Sequence, residues 1–120
     1  MKRFTITFGV GEDAMGNKIS NDELTAALKR IRERAARMAG GYTEQSTVGG
    51  WIGGDGRLIE EDSRRLIVVS DDEIGETLAL FIGNALKQAA VMLETEQMQA
   101  QFVQTAQFGY ATPVASQSYH

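Results

Sequence analysis

The stretch GGWIGGDGR, residues 49–57, decides how the rest of the chain is laid out. Five of its nine residues are glycine, and it holds the only tryptophan. It reads either as a cradle for a phosphate or as a bend between two strands. A phosphate loop needs Gly-Lys-Ser/Thr opening a helix after a strand, because the backbone amides and the lysine must converge on one anion. That triplet is missing, and no helix start follows, so the dinucleotide fingerprint fails too. Asp55-Gly56 is instead a favoured pair for a type I′ hairpin turn. The bend is the better reading. A sharper one stands beside it: Gly49, Gly50, Gly53 and Gly54 let backbone approach a ligand, Trp51 stacks on it, and Arg57 meets an anionic group.

Working outward, the flanks supply two strands. Tyr42–Val48 is rich in Thr, Tyr and Val. Arg64–Ser70, RRLIVVS, is the strongest strand signal in the chain. Further back, Phe4, Ile6, Phe8 and Val10 alternate with Thr5, Thr7 and Gly9, the period of a strand with one buried face. Residues 11–19 read as a loop. Ser20 with Glu23 forms a capping box, and Leu24, Leu28, Ile31, Ala35 and Met38 lie on one helical stripe. Gly40-Gly41 ends that helix.

Beyond Ser70, Asp71 or Asp72 is expected to cap a second helix. Its buried stripe would be Ile74, Leu78, Phe81, Ala85 and Ala89. Gly75 and Gly83 weaken it and let it lie close to the sheet. Residues 88–97 read equally as helix or strand. Met98–Gln104 alternates in a way that favours a strand.

The resulting order, β-α-β-β-α-β, predicts an α+β ferredoxin-like sandwich: an antiparallel four-stranded sheet with both helices on one face. Residues 1–105 would form this domain. Residues 106–120 would form a tail or a short β hairpin, since no Asp, Glu, Lys or Arg occurs from Gln97 onward while aromatics persist.

Bulk composition narrows the function. The chain has 120 residues, 42% hydrophobic, a net charge of −4, no cysteine and one histidine, at the last position. Disulfides, thiolate metal sites and histidine-based catalysis are excluded, and no cofactor is expected. The acidic balance argues against a nucleic-acid partner. No apolar run is long enough for a membrane span, and the alternating N-terminus is not a signal peptide; the expected location is cytoplasmic.

The candidate ligand-binding residues follow from chemistry. Arg57, Arg64 and Arg65 would pair with phosphate, with Arg64 and Arg65 on opposite faces of their strand. Trp51, Phe108 and Tyr110 would stack on a base, and Asn84 would make an amide contact. Each has a plainer reading as core, end-of-strand charge or solvated surface. The basic run Lys29, Arg30, Arg32, Arg34, Arg37 reads as a solvated helix face, and Glu60, Glu61, Asp62 as a solvated loop.

The strand ending in Phe8-Gly9, the capped helix, GGYT at 40–43, the Gly/Trp strand, DGR at 55–57, the apolar strand and the second helix together resemble small ferredoxin-like proteins encoded by phages and prophages. The similarity runs over residues 1 to about 105. Some such proteins are anti-defence sponges that hold cyclic nucleotide immune signals, such as the cyclic ADP-ribose isomers of the Thoeris system, without cleaving them. The resemblance implies a non-enzymatic homo-oligomer, dimeric or higher, that sequesters a small anionic nucleotide at a subunit interface, in the host cytoplasm if phage-encoded. The alternatives are a module that blocks a host enzyme through its open sheet face, and a small dimeric α+β enzyme.

Overall fold

The computed structural model describes residues 1–105. Its elements are β1 (Lys2–Gly9), α1 (Asn21–Ala39), β2 (Thr43–Ile52), β3 (Leu58–Ser70), α2 (Gly75–Ala85) and β4 (Met92–Gln97). The sheet runs β2-β3-β1-β4, with every pair antiparallel. This is the α+β, ferredoxin-like arrangement expected from the element order.

The core forms where the two periodicities meet. Phe4, Ile6 and Phe8 of β1 and Leu66 and Val68 of β3 turn one face of the sheet toward the helices. Ala27, Leu28, Ile31 and Ala35 of α1 and Leu78, Ala79 and Ile82 of α2 cover it. Phe4, Ile6, Ile31, Leu66, Leu78 and Ile82 are essentially sealed from water. Phe81 is only half-buried, and the Arg34 guanidinium lies 4.3 Å from its ring centre, tying α2 to α1. At the start of α1, Ser20 Oγ accepts the Glu23 N–H at 3.1 Å. Its end is closed by Gly40 at φ 84°, whose N–H reaches the Ala36 carbonyl. Both signals held because each satisfies backbone groups that the helix itself leaves free.

Several expectations are corrected. Asp71 and Asp72 cap nothing: α2 begins at Gly75 with Ile74 as its N-cap and no side-chain capping bond. Asp71 instead pairs with the N-terminal ammonium at 3.3 Å, and the Asp72 N–H goes to Ser70 Oγ. The helix start is set by packing, since the Gly75 α-carbon lies against the Phe4 ring: a β-carbon there would come within 2.6 Å of it. α2 ends at Ala85, so Ala89 lies beyond the helix and is exposed. Residues 92–97, the ambiguous stretch, form β4, whereas 98–104 form no strand. Met98 still donates its N–H to the Met1 carbonyl at 3.1 Å, but among the described residues the ladder with β1 stops at Gln97.

The glycine stretch is also redrawn. Gly49 and Gly50 lie inside β2, and β3 begins at Leu58. The turn is the tighter piece Gly53–Arg57. The Gly56 N–H reaches the Gly53 carbonyl and the Gly53 N–H the Arg57 carbonyl, at 3.0 and 2.8 Å. Only Gly56 has positive φ, 81°. Type I′ needs positive φ at both central residues; a three-residue loop with one left-handed glycine matches the strand twist equally well.

Candidate ligand face

The helices cover one face of the sheet. The other is open, and period two fixes what it presents. On β3 the open-face residues are Ile59, Glu61, Ser63, Arg65, Ile67 and Val69. β2 contributes their partners Trp51, Gly49, Thr47, Gln45 and Thr43. β1 contributes Gly9 opposite Ser63, Thr7 opposite Arg65 and Thr5 opposite Ile67. β4 adds Met92, Glu94 and Glu96.

β1 accompanies β3 only over Ser63–Ser70. Beyond that, Val48–Ile52 and Leu58–Asp62 run on as a two-stranded arm. Trp51 and Ile59 stand side by side on its open-face side, 48% and 39% exposed. From Ile59 to Arg65 the face extends about 20 Å along β3. In order, it offers an aromatic and aliphatic step, a carboxylate, a buried hydroxyl and a guanidinium.

The floor between them is small. Gly9 stands opposite Ser63, which is 7% exposed, and Gly49 lies diagonally across from it, with the Ser63 Oγ 3.5 Å from where a β-carbon on Gly49 would sit. Glu61 folds back so that its carboxylate lies over Gly9. Thr7 Oγ1, beside Arg65, is buried with no hydrogen-bond partner among the described residues. Such a hydroxyl costs about 1–3 kcal/mol unless something completes it. Arg65 is exposed and has no ion pair among the described residues. It lines a hollow of about 220 Å³ with Arg3, Thr5, Ile67, Glu94 and Glu96. There Arg3 is paired with Glu96, and Arg65, which shares the hollow with Glu94 but makes no ion pair among the described residues, is the guanidinium open to an anion.

The expected site residues do not converge within one protomer. Trp51 and Arg57 sit near the arm tip, Arg57 86% exposed with Asp55 at 3.8 Å. Arg64, as expected, points opposite to Arg65. It lies on the covered side, where its Nη1 donates to Glu44 Oε2 at 2.6 Å. Arg32 holds the same carboxylate from α1 through two bonds of 2.7 and 2.8 Å. The Arg32 hydrogen bond, and then that of Arg64, holds the Glu44 carboxyl below its usual range against the opposing effect of burial. The same bond raises Arg32. Arg64 is therefore occupied by a structural ion pair.

Asn84 is on α2, at a hollow of about 420 Å³ lined by Glu76, Leu80, Gly83, Val91 and Leu93. No cation lines that hollow, which makes it a poor place for an anion. A hollow at the C-terminal end of α1 holds Asp71 and Asp72 beside Arg37 and the N-terminal ammonium, which pairs with Asp71. Phe108 and Tyr110 lie outside the described residues.

Sequence reasoning missed Thr7, Gly9, Glu61 and Ser63. Glu60–Asp62 belongs to a strand, not a loop, so its carboxylates alternate between faces. Among the described residues, no three His, Asp or Glu side chains gather to hold a metal ion. Counting back from Arg65 in twos would have placed Ser63 and Glu61 on one face.

No family model matches the sequence, and no curated protein sequence matches it. Solved structures do match in fold. A phage SAM lyase in complex with S-methyl-5′-thioadenosine aligns with a TM-score of 0.56, 16% identity and 80% of each chain covered. The periplasmic divalent cation tolerance protein CutA from Archaeoglobus fulgidus aligns at 0.54 and 13% identity, over 85% of this chain and 88% of that one. A DUF3240 family protein from Shewanella baltica aligns at 0.51 and 9% identity, over 87% and 97%. At such identities the likeness is one of fold. Among the described residues, no helix is long and apolar enough to cross a membrane.

Proposed function

We propose that this chain is a phage-type anti-defence protein that binds and sequesters a small anionic nucleotide on its open sheet face, in a pocket closed by a second copy. The observation that carries this reading is the line along β3. A base stacks on Trp51 and Ile59. The ribose hydroxyls donate to Glu61 and meet Ser63. A phosphate pairs with Arg65. Thr7 Oγ1, which has no partner among the described residues, gains one. The spacing suits a ligand with more than one phosphate or sugar, such as a cyclic dinucleotide-like signal. Trp51 and Arg57 of a second copy, brought over Arg65, would complete the grip that one protomer leaves open.

A second reading is favoured by the likeness to a phage SAM lyase that holds a nucleoside. On this reading the same face takes SAM and cleaves it, with Glu61 the carboxylate beside the ribose. One experiment separates the two. The purified protein is incubated with cyclic ADP-ribose isomers and, separately, with SAM, then washed, heat-denatured and the supernatant examined by mass spectrometry. Intact nucleotide supports sequestration. S-Methyl-5′-thioadenosine supports the lyase. Neither product, with a host protein co-purifying instead, refutes both and supports a blocking module.

A further inference from the structure

The sheet order leaves two edges, β2 and β4, and they are built differently. Exposed edges invite pairing with another chain, and proteins guard them with short strands, lysines, prolines, bulges or charges. β4 is six residues long, MLETEQ, with two carboxylates. β2 is ten residues long, TEQSTVGGWI, with no lysine, arginine or proline. Its one charge, Glu44, is taken up by Arg32 and Arg64.

The hairpin register says which groups are free. The Gly53–Arg57 bond closes the turn. Antiparallel pairs alternate from there, so Trp51, Gly49, Thr47, Gln45 and Thr43 bond to β3. Glu44, Ser46, Val48, Gly50 and Ile52 then turn their N–H and C=O groups outward. The side chains beside this edge are apolar where the arm leaves the helices behind. Val48, Ile52 and Leu58 share the covered-side face of the arm, yet are 62%, 66% and 63% exposed. Trp51 and Ile59 occupy its other face. An isolated two-stranded ribbon is marginal in water, and this one exposes apolar side chains on both faces at its outer end, with Glu60, Glu61 and Asp62 nearer the sheet.

We infer that β2 is an assembly edge: its free backbone groups and the apolar arm around Val48, Ile52 and Leu58 pair with a second copy of this chain. Copies of the same chain carry the same unguarded edge, and self-association needs no other partner. Val48, Ile52 and Leu58, each more than 60% exposed, supply the apolar part of the roughly 800 Å² that each partner contributes to a standard interface. Edge backbone and neighbouring polar atoms supply the rest. The uncharged segment VGGWI presents no like-charge repulsion to itself. This inference rests on the functional reading only in that a second copy closes the ligand face; mass alone tests it.

The test is sedimentation equilibrium and light scattering of the full chain at micromolar concentrations. The wild type is expected at a multiple of 13.1 kDa. Ser46→Pro removes an outward N–H without touching the bonds to β3. Val48→Lys with Ile52→Lys places charge in the arm. Each is expected to weaken association about 100-fold, with the circular dichroism of the monomer unchanged. A monomeric wild type, an oligomer indifferent to both variants, or a stoichiometric complex with a host protein overturns the inference. A monomer that still releases nucleotide on heating sinks the interface, and with it the closure of the pocket by a second copy, and spares only nucleotide binding on the open face. An oligomer that releases none does the reverse.

Discussion

The Glu61 carboxylate occupies the space that a β-carbon on Gly9 would fill. Gly9 ends β1 opposite Ser63, so the missing side chain gives the carboxylate a resting place on the sheet between two strands. The obstacle to an alanine there is the far end of a flexible side chain, so Gly9→Ala keeps the fold and pushes Glu61 away. If that carboxylate accepts ribose hydroxyls, Gly9→Ala and Glu61→Gln each weaken cyclic ADP-ribose binding about tenfold. The double variant is little worse than either single one, because both remove the same contact. Calorimetric titration of the four proteins reads this out. Undiminished affinity in both single variants would take Glu61 out of the site.

The two neighbouring arginines are expected to separate cleanly. Arg65→Ala weakens nucleotide binding about 10- to 100-fold and leaves the melting temperature unchanged, because Arg65 is exposed and makes no ion pair among the described residues. Arg64→Ala lowers the melting temperature, because it strips one of two cations from Glu44, and leaves most of the binding intact. Arg57→Ala is expected to abolish nucleotide release while folding is retained. Full binding by Arg57→Ala would remove the arm tip from the pocket.

Glu44 gives the protein a pH signature. Arg32, and then Arg64, lowers its carboxyl in the folded state from the ordinary 4.5. A depressed carboxyl stabilises the fold above the unfolded value, and that contribution is lost as pH falls through the folded value. Urea denaturation between pH 7 and pH 2 should therefore show stability declining in acid. Glu44→Gln should cost about 2 kcal/mol at pH 7 and flatten the decline. An equally steep acid loss in the variant would assign the effect to other carboxylates.

Much of the fold was legible because the relevant signals act locally. Ser20 with Glu23, Gly40, and the alternation through Phe4, Ile6 and Phe8 answer to the backbone around them. The misses occur where a distant partner decides. Leu58–Asp62 has no buried face to create a hydrophobic period, so EED read as a loop. Asp71 and Asp72 have the chemistry of caps, but the Phe4 ring fixes where α2 can begin. Met98–Gln104 alternates as a strand does, yet among the described residues the ladder with β1 ends at Gln97. The candidate face was half legible. Arg64 and Arg65 were correctly divided between faces, but only the register placed Glu61, Ser63 and Thr7 in line with Arg65.

The two glycines of α2 offer a test of that tertiary control. Gly75→Ala would press a methyl group into the Phe4 ring, at 2.6 Å, and is expected to cost about 1–3 kcal/mol by overpacking. At Gly83 the nearest atoms are 3.9 and 4.0 Å away. Gly83→Ala should be neutral or stabilise by up to about 1 kcal/mol through helix propensity. Equal urea midpoints for the two variants would mean that Phe4 does not set the start of the helix.

The length of β3 carries one more consequence. Among the described residues, Ser63–Ile67 lies between two neighbouring strands, while Leu58–Asp62 has one. Deuterium uptake along this single strand should therefore span the protein's widest range, with inner amides waiting for global opening and outer ones exchanging by local fraying. Whatever covers the outer half would announce itself there as a sudden slowing.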